Sequence, residues 1–372
     1  MTTTLQDTLV LEELAIPGYE RVIKVTDEAA RLLACIAIHD RRLCKASLGG
    51  TRILAYASFD DALRDCLRLA KGMTYKSAVS ESGWGGAKSV IMLAKGQKKT
   101  PKMLHAFAEA LNRLEGIYIC AEDVGTTPED IAMVAQKTPY AVGLPNEKSS
   151  GNPAYYTAWG VFRGIQAALK HLFNNPAVEG RTVAIQGVGA VGERVAELLF
   201  WHGAKLILAD INQEKAHHLA HQYGAKVVAP DEIYSQACDI FAPCALGAII
   251  NPKTIAQLRC LAVAGSANNQ LLTEEDGERL MRAGILYAPD FVINAGGLIN
   301  VTAETMPYGY RPCEARNKTD KIFDQLMLIF DIATQNKIST EAAAMRLGDY
   351  RLRYGVGKRV DPIYMHHANM SY

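Results

Sequence analysis

The chain has 372 residues, more than one hydrophobic core comfortably holds, which points to two domains. Forty basic against thirty-nine acidic side chains leave a net charge of +1, so there is no electrostatic footprint for nucleic acid or an anionic membrane. Apolar residues make up 49% of the chain without a run near the ~20 residues of a membrane span. Eight scattered cysteines form neither a CxxC pair nor a metal-ligand spacing; they read as reduced thiols of a cytoplasmic protein with no metal site. The first twenty residues lack a basic n-region and an apolar h-region, so no secretory signal is expected.

In chain order, an apolar strand LLACIAIHD is followed by a helix beginning at Ser58, with Leu63, Leu67 and Ala70 at helical spacing. Thr100 and Thr127 each precede a proline, the N-cap and N1 pair that opens a helix. The turn-rich stretch GLPNEKSSGNPAYYT (143–157) reads as a domain crossing. Beyond it TVAIQG, KLILAD, KVVA, DIFAPC, LAVAG and ILYAP alternate with helices, one ending near LLFWHG and one at Tyr223, which predicts βαβ units and a parallel sheet. The tail from Ile322 is helical by periodicity, with an apolar face expected to pack back on the first domain. There is no internal repeat and no low-complexity segment.

Two segments carry chemistry. KGMTYKSAVSESGWGGAK (71–88) ends in a glycine-rich turn, where Gly83, Gly85 and Gly86 allow close backbone approach and present Lys88, with Lys76 as a cationic neighbour. Taken alone it also fits a surface loop with two solvated lysines. GVGAVG places Gly187, Gly189 and Gly192 between a strand and a helix, the turn that binds a dinucleotide pyrophosphate at a helix N-terminus. The next strand ends at Asp210, eighteen residues after Gly192, where an acid meets the adenosine ribose. Ile211 and Asn212 follow, with no arginine for a 2′-phosphate, so NAD is favoured over NADP; a glycine turn in a flavodoxin-like domain is the alternative. A carboxylate between the two segments, in CAEDVGTTPED, completes a set that suggests amine chemistry. On its own Asp123 also fits a helix N-terminal acid.

SLGGTR (47–52), RLAKGMTYK (68–76), GGAK (85–88) and AEDVGTT (121–127) resemble the Glu/Leu/Phe/Val amino-acid dehydrogenase family. SSGNP, GVGAVG, DIFAPCALGA, AGSANNQL and VINAGGLINV continue the resemblance in the same order, over roughly residues 20 to 310. The implied fold is α/β: a substrate-binding and oligomerisation domain at 1–145, with C-terminal helices 329–372 packing back on it, and a Rossmann NAD-binding domain at 146–328. The implied site is the cleft between them, with Asn294 to Gly297 as hinge material.

The resemblance implies reversible NAD-dependent oxidative deamination of a branched-chain aliphatic L-amino acid (leucine, valine or isoleucine) to the 2-oxo acid and ammonium. It makes Lys88 the general base that activates water, Asp123 the acid that exchanges protons with the amine, and Lys76 the partner of the α-carboxylate. It sets Leu48, Ala121, Leu298 and Val301 around the substrate side chain, with Gly49 and Asn294 also on the substrate. Thr157 and Asn268 join Val188, Ala190, Val191 and Glu193 of the glycine turn on the cofactor. A homo-oligomer, octamer or dimer, is implied.

The chain departs from the family pattern around the substrate. GGGK is GGAK, so Ala87 is tolerable only at negative φ. Trp84 replaces a leucine, Tyr155 and Tyr156 replace a proline–threonine stretch, and Arg41, Arg42 and Lys45 are added. Leu298 stands where valine is usual. Two other readings stay open: an aromatic amino-acid (Phe/Trp) dehydrogenase with Trp84 or Tyr155 as a stacking wall, and a non-catalytic NAD-binding homologue.

Overall fold

The computed structural model describes residues 8–371; residues 1–7, the start of the segment read as lacking a secretory signal, and residue 372 lie outside the described residues. The chain forms two compact units: Met1–Gly151 with Val301–Arg311 and Arg351–Tyr372, and Asn152–Asn300 with Pro312–Tyr350.

The first unit is built on a six-stranded sheet: β1 (Leu9–Glu13), β2 (Arg21–Asp27), β3 (Leu32–Asp40), β4 (Ser47–Ala55), β5 (Gly85–Leu93) and β6 (Tyr118–Glu122), in the order β1-β2-β3-β5-β4-β6. β3 runs antiparallel to β5, while β4 lies parallel between β5 and β6. Side chains alternate across the sheet and fill two cores. Val22, Cys35, Ala37 and Val90 meet Ala62, Cys66 and Ala70 of α1 (Phe59–Val79). Ile23, Val25, Ile36, Ile38, Ala87 and Ile91 meet α2 (Pro101–Arg113) and α3 (Pro128–Ala135) on the other face. All three helices open where expected: Ser58, Thr100 and Thr127 each accept a hydrogen bond from the backbone three residues on.

Two later segments complete this unit. Buried Glu304 accepts hydrogen bonds from Gly143 N (3.2 Å), Ser149 Oγ (3.0 Å), Ser150 N (2.9 Å) and Ser150 Oγ (2.5 Å), tying residues 301–311 to the end of the first segment. Arg351 donates to the Val79 carbonyl at 2.5 Å and pairs with Glu81 at 2.9 Å, capping the end of α1.

The second unit is a six-stranded parallel sheet: β7 (Thr182–Gln186), β8 (Lys205–Ala209), β9 (Lys226–Val227), β10 (Ile240–Pro243), β11 (Ala262–Val263) and β12 (Leu286–Tyr287). Its order, β12-β11-β10-β7-β8-β9, is the Rossmann order, with the reversal between β7 and β10. All six strands match the apolar segments read from the sequence. The connecting helices include α4 (Ala154–Phe173), α5 (Gly192–Trp201) and α6 (Gln213–Tyr223).

The expected return of residues 329–372 to the first domain needs correction, because residues 329–350 belong to the second unit and only 351–372 to the first. The helix Ile322–Asn336 buries Leu326, Ile329 and Phe330 and packs on α4, where Gly160 and Gly164 leave room for Ile322 and Leu326. Periodicity revealed the apolar face but not which surface it would meet.

Candidate active site

In the first unit the site grows from the starts of β4 and β5 and the carboxyl end of β6. Strand pairing sets Leu48 opposite Gly86 and Gly50 opposite Ala121, so Leu48, Gly50 and Ala121 share the face that carries Lys88. Leu48 is 2% exposed, and Ala121 and Val301 are half-buried. Ala87 lies within β5 with φ outside the left-handed region, so its methyl is tolerated, and it packs into the core.

Lys88, 4% exposed, is ion-paired through Nζ to Asp123 Oδ2. The other oxygen, Oδ1, accepts hydrogen bonds from Arg52 Nε (3.1 Å) and the Val124 backbone (2.7 Å). Burial pushes the Asp123 carboxyl up, but the charges of Lys88 and Arg52 outweigh it and hold the group below the ordinary carboxylate range. Gly50 makes room for it: a methyl there would lie 2.7 Å from Asp123 Cβ. Lys76 occupies the last turn of α1, half-buried. Thus Lys88 and Asp123 are in direct contact, with Gly49, Leu48 and Ala121 on the neighbouring strands.

In the second unit the glycine turn follows β7. Gly187 has φ +92°, and a methyl on Gly192 would strike the Gly187 carbonyl, so the third glycine lets α5 close on the turn. Around the Cβ position of Gly189 there is open space within 4 Å, and Gly189 and Ala190 are exposed. That is the cradle a pyrophosphate requires above the N-terminus of α5, where Val191 is the N-cap and Glu193 stands in the first turn. Asp210, just after β8, accepts the Val188 N–H at 2.7 Å and the Asn212 N–H at 2.8 Å. Each carboxylate oxygen keeps a further lone pair, so ribose hydroxyls can still be accepted.

Asn268 and Asn294 are joined in the same unit, Asn294 Nδ2 donating to Asn268 Oδ1 at 2.8 Å and to the Ser266 carbonyl at 3.1 Å. Asn294 Oδ1 is buried without a hydrogen-bond partner, an acceptor left for a donor from outside the protein. Thr157, early in α4, sits beside Gly297. The helix Gly296–Ala303 carries Leu298 within the second unit and Val301 within the first.

Three of the departures are absorbed locally. Trp84 is 1% exposed and covered by the Arg359 guanidinium, 5.3 Å from its ring, so it forms no open wall. Arg41 pairs with Glu20 (2.8 Å) and Arg42 with Asp40 (2.6 Å), which neutralises those two charges, while Lys45 is exposed. Tyr155, more than half exposed, lies under the Arg194 guanidinium at 4.0 Å, and Tyr156 donates to the Pro312 carbonyl.

Sequence reasoning assigned no role to Arg52, Asp65 and Tyr56, which line up behind Asp123. Arg52 was visible in SLGGTR, as the one charge on its strand, two positions beyond Gly50, and a charge shielded from water demands a partner.

Known proteins resemble this chain over about nine-tenths of its length. The family model for the Glu/Leu/Phe/Val dehydrogenase dimerisation domain matches residues 19–140, and that for Glutamate/Leucine/Phenylalanine/Valine dehydrogenase matches residues 206–352. The leucine dehydrogenase of Thermoactinomyces intermedius is 46% identical over 335 residues, covering 90% of this chain and 91% of the relative. The L-tryptophan dehydrogenase of Nostoc punctiforme is 42% identical over 92% of this chain and 96% of its own. The crystal structure of the Nostoc enzyme matches with TM-score 0.80 at 41% identity, covering 91% of this chain and 97% of that one. The hetero-hexameric glutamate dehydrogenase of Thermus thermophilus shares the fold, with TM-score 0.72 at 19% identity over 94% and 89% of the two chains. With both halves matched and relatives this similar over nine-tenths of its length, the chain belongs to the Glu/Leu/Phe/Val dehydrogenase family.

Proposed function

We propose that this chain catalyses the reversible NAD-dependent oxidative deamination of a branched-chain aliphatic L-amino acid to its 2-oxo acid and ammonium. The observation that carries this reading is the contact between buried Lys88 and half-buried Asp123, a base and an acid on a face shared with apolar Leu48 and Ala121. A scaffolding homologue has no use for an ammonium and a carboxylate held out of water, since burying them is costly.

In this reading Lys76 binds the α-carboxylate and fixes the Cα–H, as a charge-assisted contact does. Asp123, kept ionised by Lys88 and Arg52, accepts a proton from the substrate amine and returns it in the reverse direction. Lys88, after releasing its own proton to solvent, takes a proton from water for attack on the imine carbon. When bound, NAD+ supplies the hydride acceptor; the glycine turn, Asp210, Thr157 and Asn268 would hold it. Asp210 carries a negative charge where a 2′-phosphate would lie, which favours NAD over NADP.

In this reading apolar Leu48, Ala121, Leu298 and Val301 are assigned to the side chain of leucine, valine or isoleucine, with no cation at position 48 for a second carboxylate. The aromatic alternative has less support, since Trp84 is covered and Tyr155 is engaged by Arg194. Asn294 and Gly49 complete the substrate contacts. The enzyme acts as a homo-oligomer, octamer or dimer. Its eight free cysteines suit a reducing cytoplasm, and among the described residues no helix is long and apolar enough to cross a membrane.

Initial rates at 340 nm with leucine, valine, phenylalanine and glutamate, each with NAD+ and NADP+, test this reading. It requires the aliphatic substrates and NAD+ to lead; preference for phenylalanine, for glutamate or for NADP+ would overturn the corresponding part.

A further inference from the structure

Behind Asp123 the structure holds a continuous line of polar groups. Arg52 Nε donates to Asp123 Oδ1 at 3.1 Å, and its Nη1 donates to Asp65 Oδ2 at 2.7 Å. Asp65 Oδ2 also accepts the Tyr56 hydroxyl at 2.8 Å. The side chains of Arg52 and Asp65 are 15% and 17% exposed, so these contacts are shielded from bulk water. Arg52 comes from β4 and Asp65 from α1, two rigid elements, so the guanidinium is held at both ends. With Oδ1 occupied by Arg52 and the Val124 N–H, only Oδ2 of Asp123 is turned toward Lys88.

We propose that Arg52, anchored by Asp65 and Tyr56, is a positioning residue that fixes Asp123 with its Oδ2 toward Lys88 and the reacting amine. This rests on Asp123 being the proton carrier of the proposed function. The charged groups facing Asp123 are Lys88 from β5, Arg52 from β4 and Glu122 from β6, with Asp65 and Arg68 of α1 behind Arg52. Arg52 therefore also helps to keep Asp123 ionised. The acid limb of the pH–rate profile reports the Lys88–Asp123 pair together. Loss of a neighbouring positive charge moves such a limb to higher pH, and loss of a neighbouring negative charge moves it to lower pH.

The test is the pH dependence of kcat and kcat/KM for L-leucine in Arg52→Gln, Arg52→Lys and Asp65→Asn, beside Asp123→Asn. Arg52→Gln is expected to lower kcat by roughly 10- to 100-fold, the range seen when a group orienting a reactive ligand is lost, with substrate KM little changed and the acid limb moved up. Arg52→Lys keeps the charge and is expected to restore the limb but not the full kcat. Asp65→Asn is expected to lower kcat while moving the limb down. A folded Arg52→Gln enzyme with native kcat and native limb would overturn the inference. If Arg52→Gln does not fold, Asp65→Asn decides, and an upward shift or a native kcat there overturns it. An Asp123→Asn enzyme at full turnover removes both the Asp123 assignment and this inference; an inactive Asp123→Asn beside an unchanged Arg52→Gln removes this inference alone.

Discussion

Replacing Gly49 by alanine moves Lys88 without altering any charge. A methyl built on Gly49 would lie 1.8 Å from the Ala87 carbonyl oxygen, 2.5 Å from its carbon and 3.1 Å from Lys88 Cα. Ordinary contact begins at 3.4 Å, so the oxygen must retreat by 3.4 − 1.8 = 1.6 Å. The atoms in the way are backbone atoms of β5, paired to β3 on one side and β4 on the other, so no rotamer change relieves the clash. A displacement of ~1 Å at a reacting group costs ~100-fold in rate, about 2.7 kcal/mol of transition-state stabilisation. Overpacking of this kind also costs ~1–3 kcal/mol of stability. Initial rates at 340 nm with L-leucine and NAD+, together with NADH binding by fluorescence, measure both consequences. Gly49→Ala is expected to lose at least ~100-fold in kcat/KM while binding NADH normally, because the dinucleotide turn belongs to the second unit. A folded Gly49→Ala enzyme with native kcat/KM would show that β4 does not hold Lys88 in place.

Gly189→Ala is the complementary case: with open space around its Cβ position the variant should melt like the parent, yet its Kd for NADH should rise at least ~tenfold because the methyl occupies the pyrophosphate cradle; calorimetric titration decides, and unchanged affinity would remove Gly189 from the cofactor site. Leu48→Lys buries an ammonium at a 2% exposed position on the face of Lys88, a penalty of several kcal/mol when unpaired, so leucine turnover should collapse; native efficiency would mean that residue 48 does not line the pocket. In the second unit, burial and then Asp290 and Glu274 push the Glu341 carboxyl up to about 8, whereas an unfolded glutamate titrates near ~4.3. The folded state thus binds the proton more tightly, and stability falls as pH rises between those values and levels above the higher one. Glu341→Gln should raise Tm little at pH 5 and progressively more toward pH 8; an offset independent of pH would contradict this.

Much of the fold was legible because its signals are local. The strand LLACIAIHD is β3 in full, and Ser58, Thr100 and Thr127 cap helices through contacts spanning three residues. The glycine turn was readable for the same reason: Gly187, Gly189 and Gly192 do their work within six positions. What stayed hidden depends on contacts between distant positions. Trp84 entered the aromatic alternative as one candidate stacking wall, yet Arg359, far along the chain, covers it. The line from Tyr56 through Asp65 and Arg52 to Asp123 joins β4, α1 and the loops that follow β4 and β6, and no spacing rule links them. Residues 329–350 showed a helical period, but amphipathicity is indifferent to which surface buries it.

Lys88 carries the central claim, so the most direct measurement compares wild type and Lys88→Ala in single-turnover oxidation of L-leucine by NAD+, followed at 340 nm. The wild type should reduce NAD+, and Lys88→Ala should bind NADH as tightly but turn over at least ~100-fold more slowly, the usual contribution of a placed base. Comparable turnover in Lys88→Ala, or no reduction of NAD+ by the wild type with any of the aliphatic amino acids, would contradict the assignment of this chain as an amine-oxidising dehydrogenase built around Lys88 and Asp123.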